Sequence, residues 1–83
     1  MLFNQHPCSI VVELHLAAAI SAINPLISFR PIILNRRRVA FMTDRHDLTT
    51  ELDRVNRGEQ VAARDLLMNI NRLRQAALRL RRH

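Results

Sequence analysis

The strongest constraint lies in the spacing of residues 48–80. Leu48, Leu52, Val55, Glu59, Ala62, Leu66, Asn69, Leu73, Ala76 and Leu80 follow one another at alternating steps of four and three. That spacing puts one apolar seam along a helix, interrupted by the polar Glu59 and Asn69. Ala63, Leu67, Ile70 and Ala77 form a second stripe beside it and widen the apolar face. A wide face suits a bundle or helical hairpin better than a narrow two-stranded coiled coil. The expected fold class is therefore mainly α: a small helical hairpin or an assembly of two to three helices.

Asn69 on the seam reads in two ways. A polar core residue fixes register; alternatively, the helix is rotated so that Asn69 is solvated and Ile70 buried. Gly58 is the weak point of the stretch. A glycine inside a helix costs about 1 kcal/mol relative to alanine. Asn56-Arg57-Gly58 also resembles a helix C-terminal cap, so a break there competes with one long helix. At the other end, Thr43 or Asp47 can accept backbone N–H groups, with Glu51 in the turn that follows.

Charge divides the chain. Residues 1–41 hold four arginines and one acid, Glu13; residues 42–83 hold nine arginines and six acids. Each half is +3, and the 83-residue chain is +6. The first part reads as an apolar, acid-poor segment and the second as a charged amphipathic helical segment. Met42-Thr43-Asp44 at the boundary looks like a second protein start. Three readings follow for residues 1–41: a native segment that tethers or packs on the helices, read-through from upstream, or a cleaved leader.

The first segment is ambiguous. Residues 8–29 contain 15 apolar residues out of 22, close to the ~20 a membrane-spanning helix needs. Glu13, His15 and Asn24-Pro25 oppose a span, because an intramembrane carboxylate costs about 2.5 to 3.5 kcal/mol and Pro25 stops a helix near Ile23. A helix over Ser9–Ile23 is favoured, as a core helix, an interfacial helix or a poor span. A strand over Ile10–Leu16 competes, since Val12, Leu14 and Leu16 alternate with Glu13 and His15. Positive charge follows the apolar run instead of preceding it, which argues against a secretory signal. The expected location is the cytoplasm, with or without membrane association.

Catalytic chemistry does not assemble. His6 and Cys8 lie two residues apart, and His15, His46 and His83 have no ligand partner at helical spacing, so no metal is expected. Asp44 with Asp47, or Glu51 with Asp53, reads as helix-capping or solvated charge. A single glycine cannot build a phosphate-cradling loop, and Cys8 has no visible base. The chain is expected to be a non-enzyme without cofactor or small-molecule substrate.

All 13 basic residues are arginine. Candidate contacts to phosphate or lipid headgroups are Arg36, Arg37, Arg38, Arg72, Arg74, Arg79, Arg81 and Arg82. Residues 42–83 contain no aromatic residue on which a base could stack, so nucleic-acid binding there would be directed at the backbone. Two short stretches carry local resemblances. GEQVAARDLL (58–67) with LRQAA (73–77) resembles the opening helices of extracytoplasmic-function sigma factors, which would imply a truncated polymerase-binding fragment. ELDRVN (51–56) is similar to the first helix of chorismate mutases. Neither stretch assigns the chain to a family.

The reading that results is a small, basic, helical interaction protein. Its partner-helix interface comprises Leu48, Leu52, Val55, Ala62, Leu66, Leu67, Ile70, Leu73 and Leu80, facing itself or another helical protein. Two alternatives stand beside it: a membrane-associated protein anchored by residues 9–34, and a backbone-directed nucleic-acid-binding protein.

Overall fold

A computed structural model describes residues 8–45 and 47–82. His6, His46 and His83 lie outside the described residues. Six elements follow in order: β1 (Ser9–Val11), α1 (Leu14–Ile23), β2 (Arg30–Asn35), β3 (Arg38–Thr43), α2 (Thr49–Asn56) and α3 (Ala63–Arg81).

The fold is mixed α/β, a three-stranded antiparallel sheet with three helices. This corrects the expectation of a mainly α hairpin or two- to three-helix assembly, and with it the all-helical coiled-coil description. The overturning finding is the sheet, in the order β1-β3-β2. Ile10-Val11, Ile32-Ile33 and Val39 through Phe41 are β-branched and aromatic segments that pack well on a pleated surface. Each is too short to show a helical or strand period clearly.

Both structures weighed for the N-terminal apolar run occur, one after the other. Ser9–Val11 pairs with β3, and a ten-residue helix starts at Leu14. The Glu13 carboxylate accepts a hydrogen bond from the His15 backbone N–H at 2.7 Å, which separates strand from helix. Asn24 and Pro25 end α1. Asn24 Oδ1 accepts from Leu26 N–H at 3.1 Å, a side-chain turn typical of asparagine. At 1.5 Å per residue α1 is about 15 Å long, half a hydrocarbon core. No described helix is long and apolar enough to cross a membrane, which corrects the reading of Ser9–Ile23 as a poor span.

The β2–β3 hairpin turns at Arg36-Arg37. Asn35 Oδ1 closes it by accepting from the N–H groups of Arg37 and Arg38, both at 3.1 Å. The register is irregular between Ile33 and Asn35, leaving Leu34 as the extra residue of a bulge.

α2 and α3 are separate helices. Gly58 has φ +76°, the left-handed conformation that side chains disfavour. Its N–H donates to Val55 O at 2.9 Å, and Glu59 N–H to Arg54 O at 3.1 Å. The two bonds make a Schellman cap, which satisfies carbonyls left over at the helix end. At the start of α2 the Asp47 carboxylate accepts from Thr49 N–H at 2.9 Å.

Strand pairing assigns the two sheet faces. Directly opposed residues share a face, so Val11, Phe41 and Pro31 lie together, and Ile10, Met42 and Arg30 lie on the other side. The first side meets the helices. Val11 and Phe41 join Ala17, Ala18, Ile20, Ile27, Leu48, Ile70 and Leu73 in one core. Small residues at Ala17, Ala18 and Ser21 let α3 approach α1 closely. Asn69 Nδ2 donates to Ala18 O at 3.2 Å across that contact.

Candidate functional site

Two surface features draw residues together from separate elements: the outer face of the sheet and an arginine cleft at the hairpin tip. The helical seam expected as a partner interface lies largely inside the domain. Leu48, Ile70 and Leu73 are buried in the chain's own core, and Leu52, Val55 and Leu66 pack against it. Leu80 is half-buried, whereas Ala62 and Leu67 are exposed. Asn69 is half-buried beside the buried Ile70. Its carboxamide oxygen accepts from Arg72 at 3.1 Å, so it links a surface arginine to the α1 backbone.

The outer sheet face follows from the register. Ile10, Met42, Ile32 and Ala40 occupy it by direct pairing. Val12, two residues beyond Ile10, extends it by the two-residue alternation of strands. Ile10 and Val12 are 48 and 47% exposed. Ala40 in the central strand is fully buried, whereas Ile10, Val12, Ile32 and Met42 take no part in the core cluster or its packed surround, because α1 and α3 both lie on the opposite face. Arg30 sits at the rim and forms an ion pair with Asp44 at 3.5 Å. Antiparallel sheets with one open face ordinarily show polar residues there; this one shows aliphatics.

The second feature unites residues far apart in sequence. Arg36, Arg37 and Arg38 at the hairpin tip share a cleft of about 90 Å³ with Arg81 near the end of α3. Ile33, Asn35 and Val39 complete its wall. Of the other candidate arginines, Arg74 lies two helical turns before Arg81 on the same flank of α3. Arg72 and Arg79 lie on the opposite flank, and Arg82 points away from the core by the 100° step of the helix. The arginine positions were legible in the sequence; their convergence was not, because only the hairpin and the packing of α3 on β2 create it. The outer face was missed because the expected helix over Ser9–Ile23 includes β1 and the segments of β2 and β3 carried no strand reading.

One titratable group stands apart from the surface. Glu51 on α2 is 6% exposed, and Asn24 Nδ2 donates to its carboxylate at 3.1 Å. That hydrogen bond, followed by the positive charges of Arg45 and Arg54, holds its pKa below the ordinary carboxylate value despite burial. Asn24 therefore ties the end of α1 to α2. This is a structural linkage between two helices. Among the described residues no group of three His, Cys, Asp or Glu side chains is placed to hold a metal ion, and Cys8 is a half-buried free thiol.

Comparison of the chain with family models, with curated proteins and with solved structures finds no match in any of the three. What is established is a small α/β domain with aliphatic residues on its surface.

Proposed function

We propose that this protein is a non-enzymatic interaction module that docks an apolar protein surface on the outer face of its sheet. A second copy of the chain is the simplest such surface, because two aliphatic sheet faces can stack about 10 Å apart as in a β-sandwich. The observation that supports it is the aliphatic face turned away from the helices, where Ile10 and Val12 are about half exposed beside the half-buried Ile32 and Met42. Contiguous apolar patches rimmed by polar residues mark interaction sites more often than free surface. The helical seam does not offer an equivalent surface, since the domain's own α1 and β2 take up most of it.

The test is the oligomeric state by sedimentation equilibrium, for the natural chain and for Ile10→Lys. Ile10 is half-exposed, so the lysine can reach solvent and leave the fold intact. The expected result is a concentration-dependent dimer that becomes a monomer in the variant, with an unchanged circular-dichroism spectrum. A natural chain that stays monomeric up to its solubility limit, or a dimer indifferent to Ile10→Lys and to Val12→Lys, would overturn the reading.

A further inference from the structure

The arginine cleft carries a separate consequence, independent of what docks on the sheet. Arg36, Arg37, Arg38 and Arg81 crowd one small concavity. No ion pair among the described residues involves any of them. The surrounding chain offers no compensation, since residues 14–43 and 66–83 contain no aspartate or glutamate. Like charges placed side by side repel, and an anion seated between them relieves that repulsion. Arginine is suited to the task because its planar fork bonds phosphate oxygens bidentately. The hairpin tip is braced by Asn35, whose carboxamide oxygen holds the N–H groups of Arg37 and Arg38. The negative end of the α3 dipole also lies here, so the attraction comes from the side chains alone.

The neighbours of the arginines indicate which phosphates. Ile33 lies in the cleft wall and is 56% exposed; Leu78, one turn before Arg81 on α3, is 46% exposed. Aliphatic groups interleaved with arginines match a membrane interface, where apolar side chains enter the acyl boundary and long basic ones reach the headgroups. A nucleic-acid site would profit from aromatic platforms. The chain has no Tyr or Trp; Phe41 is buried, Phe29 is half-buried in the core surround, and Phe3 lies outside the described residues.

We propose that the cleft between the β2–β3 hairpin tip and the C-terminal end of α3 binds the headgroup phosphates of an anionic membrane surface, with Ile33 and Leu78 entering the lipid boundary. The contact is peripheral: the chain lies on the bilayer and is held there by charge and two aliphatic side chains.

The experiment is co-sedimentation of the full chain with vesicles of phosphatidylcholine, alone or mixed with phosphatidylglycerol, at increasing salt. Binding is expected only to the mixed vesicles, and weaker at higher salt. Arg37→Gln and Arg81→Gln should each lower the partition coefficient about fivefold, equivalent to about 1 kcal/mol per arginine at an anionic surface. Ile33→Asn should lower the part of the binding that survives high salt. Arg64→Gln, at the far end of α3, should change little, and thermal melts of all variants should match the natural chain. Parallel titrations with duplex DNA and with inorganic phosphate separate the sources of phosphate. Binding to DNA that needs the arginines but ignores Ile33, without vesicle binding, would overturn the proposal in favour of a nucleic-acid backbone. Thermal stabilisation by inorganic phosphate without vesicle binding would reduce the cleft to a free-anion site. Equal binding to neutral and mixed vesicles, or to neither, would also overturn it.

Discussion

Single residues set the joints of this domain. Gly58 is one. Its left-handed φ ends α2 and lets two amides close the Schellman cap, whereas a residue with a Cβ pays a steric penalty in that conformation. Asn24 is another, because one side chain serves two purposes: its oxygen closes the turn after α1, and its nitrogen meets the Glu51 carboxylate. The second contact has a pH signature. The folded pKa of Glu51 is depressed below its unfolded value of about 4.5. The stability it contributes is therefore complete above that value and is lost as the pH falls through the folded pKa. Asn24→Ala should leave the buried carboxylate short of a donor and cost about 1 to 3 kcal/mol at neutral pH. In urea titrations the difference between variant and natural chain should shrink at acid pH. A difference that persisted undiminished would assign the loss to the turn rather than to the carboxylate.

At the scale of elements, α3 shows both the strength and the limit of periodicity. The seam spacing correctly marks a long amphipathic helix over most of 63–81, and the residues at its centre are the buried ones. What the spacing cannot say is what lies opposite. A helix face buried against a partner and one buried against its own sheet have the same pattern. The difference shows in exposure: Leu73 is 2% exposed and Leu67 59%. Leu73→Ala should therefore cost about 2 to 5 kcal/mol, while Leu67→Ala should stay within about 0.5 kcal/mol, both read from chemical denaturation. Similar losses at the two sites would mean that the second stripe is also covered. The hairpin illustrates the opposite case. Its turn is Arg36-Arg37, with none of the Asn-Gly or Gly residues that announce a tight hairpin. Among the described residues no non-glycine has a positive φ. The Leu34 bulge supplies the local irregularity, and Asn35 closes the turn from outside the loop. Such a hairpin is nearly silent in sequence.

For the molecule as a whole, the compositional boundary near Met42 coincides with a strand, not with a linker. β3 is the central strand, and Met42 pairs with Ile10 on one side and Arg30 on the other. A fragment beginning at Met42 has no β1, α1 or β2, and so loses the partners of Leu73, Ile70 and Leu48. Isolated Met42–His83 should show helical dichroism that melts without a cooperative transition. Mixing it with the 1–41 peptide is the complementary measurement. A sharp, cooperative unfolding of the fragment alone would mean that the two helices form a unit without the sheet. The same long-range pairing produces both surface features, since the outer face needs three strands and the arginine cleft needs the hairpin against α3.

From the chain alone one reads the amphipathic α3, the stop at Asn24-Pro25, the glycine-ended helix before it, the acid-poor stretches and the arginines themselves. These depend on neighbours within a few residues, where helix period, caps and local charge operate. The sheet, the side on which the aliphatic seam is covered, the open aliphatic face and the meeting of Arg36–Arg38 with Arg81 were decided by tertiary structure. Short apolar segments carry no period of their own, and a strand acquires its faces only from the strands it pairs with.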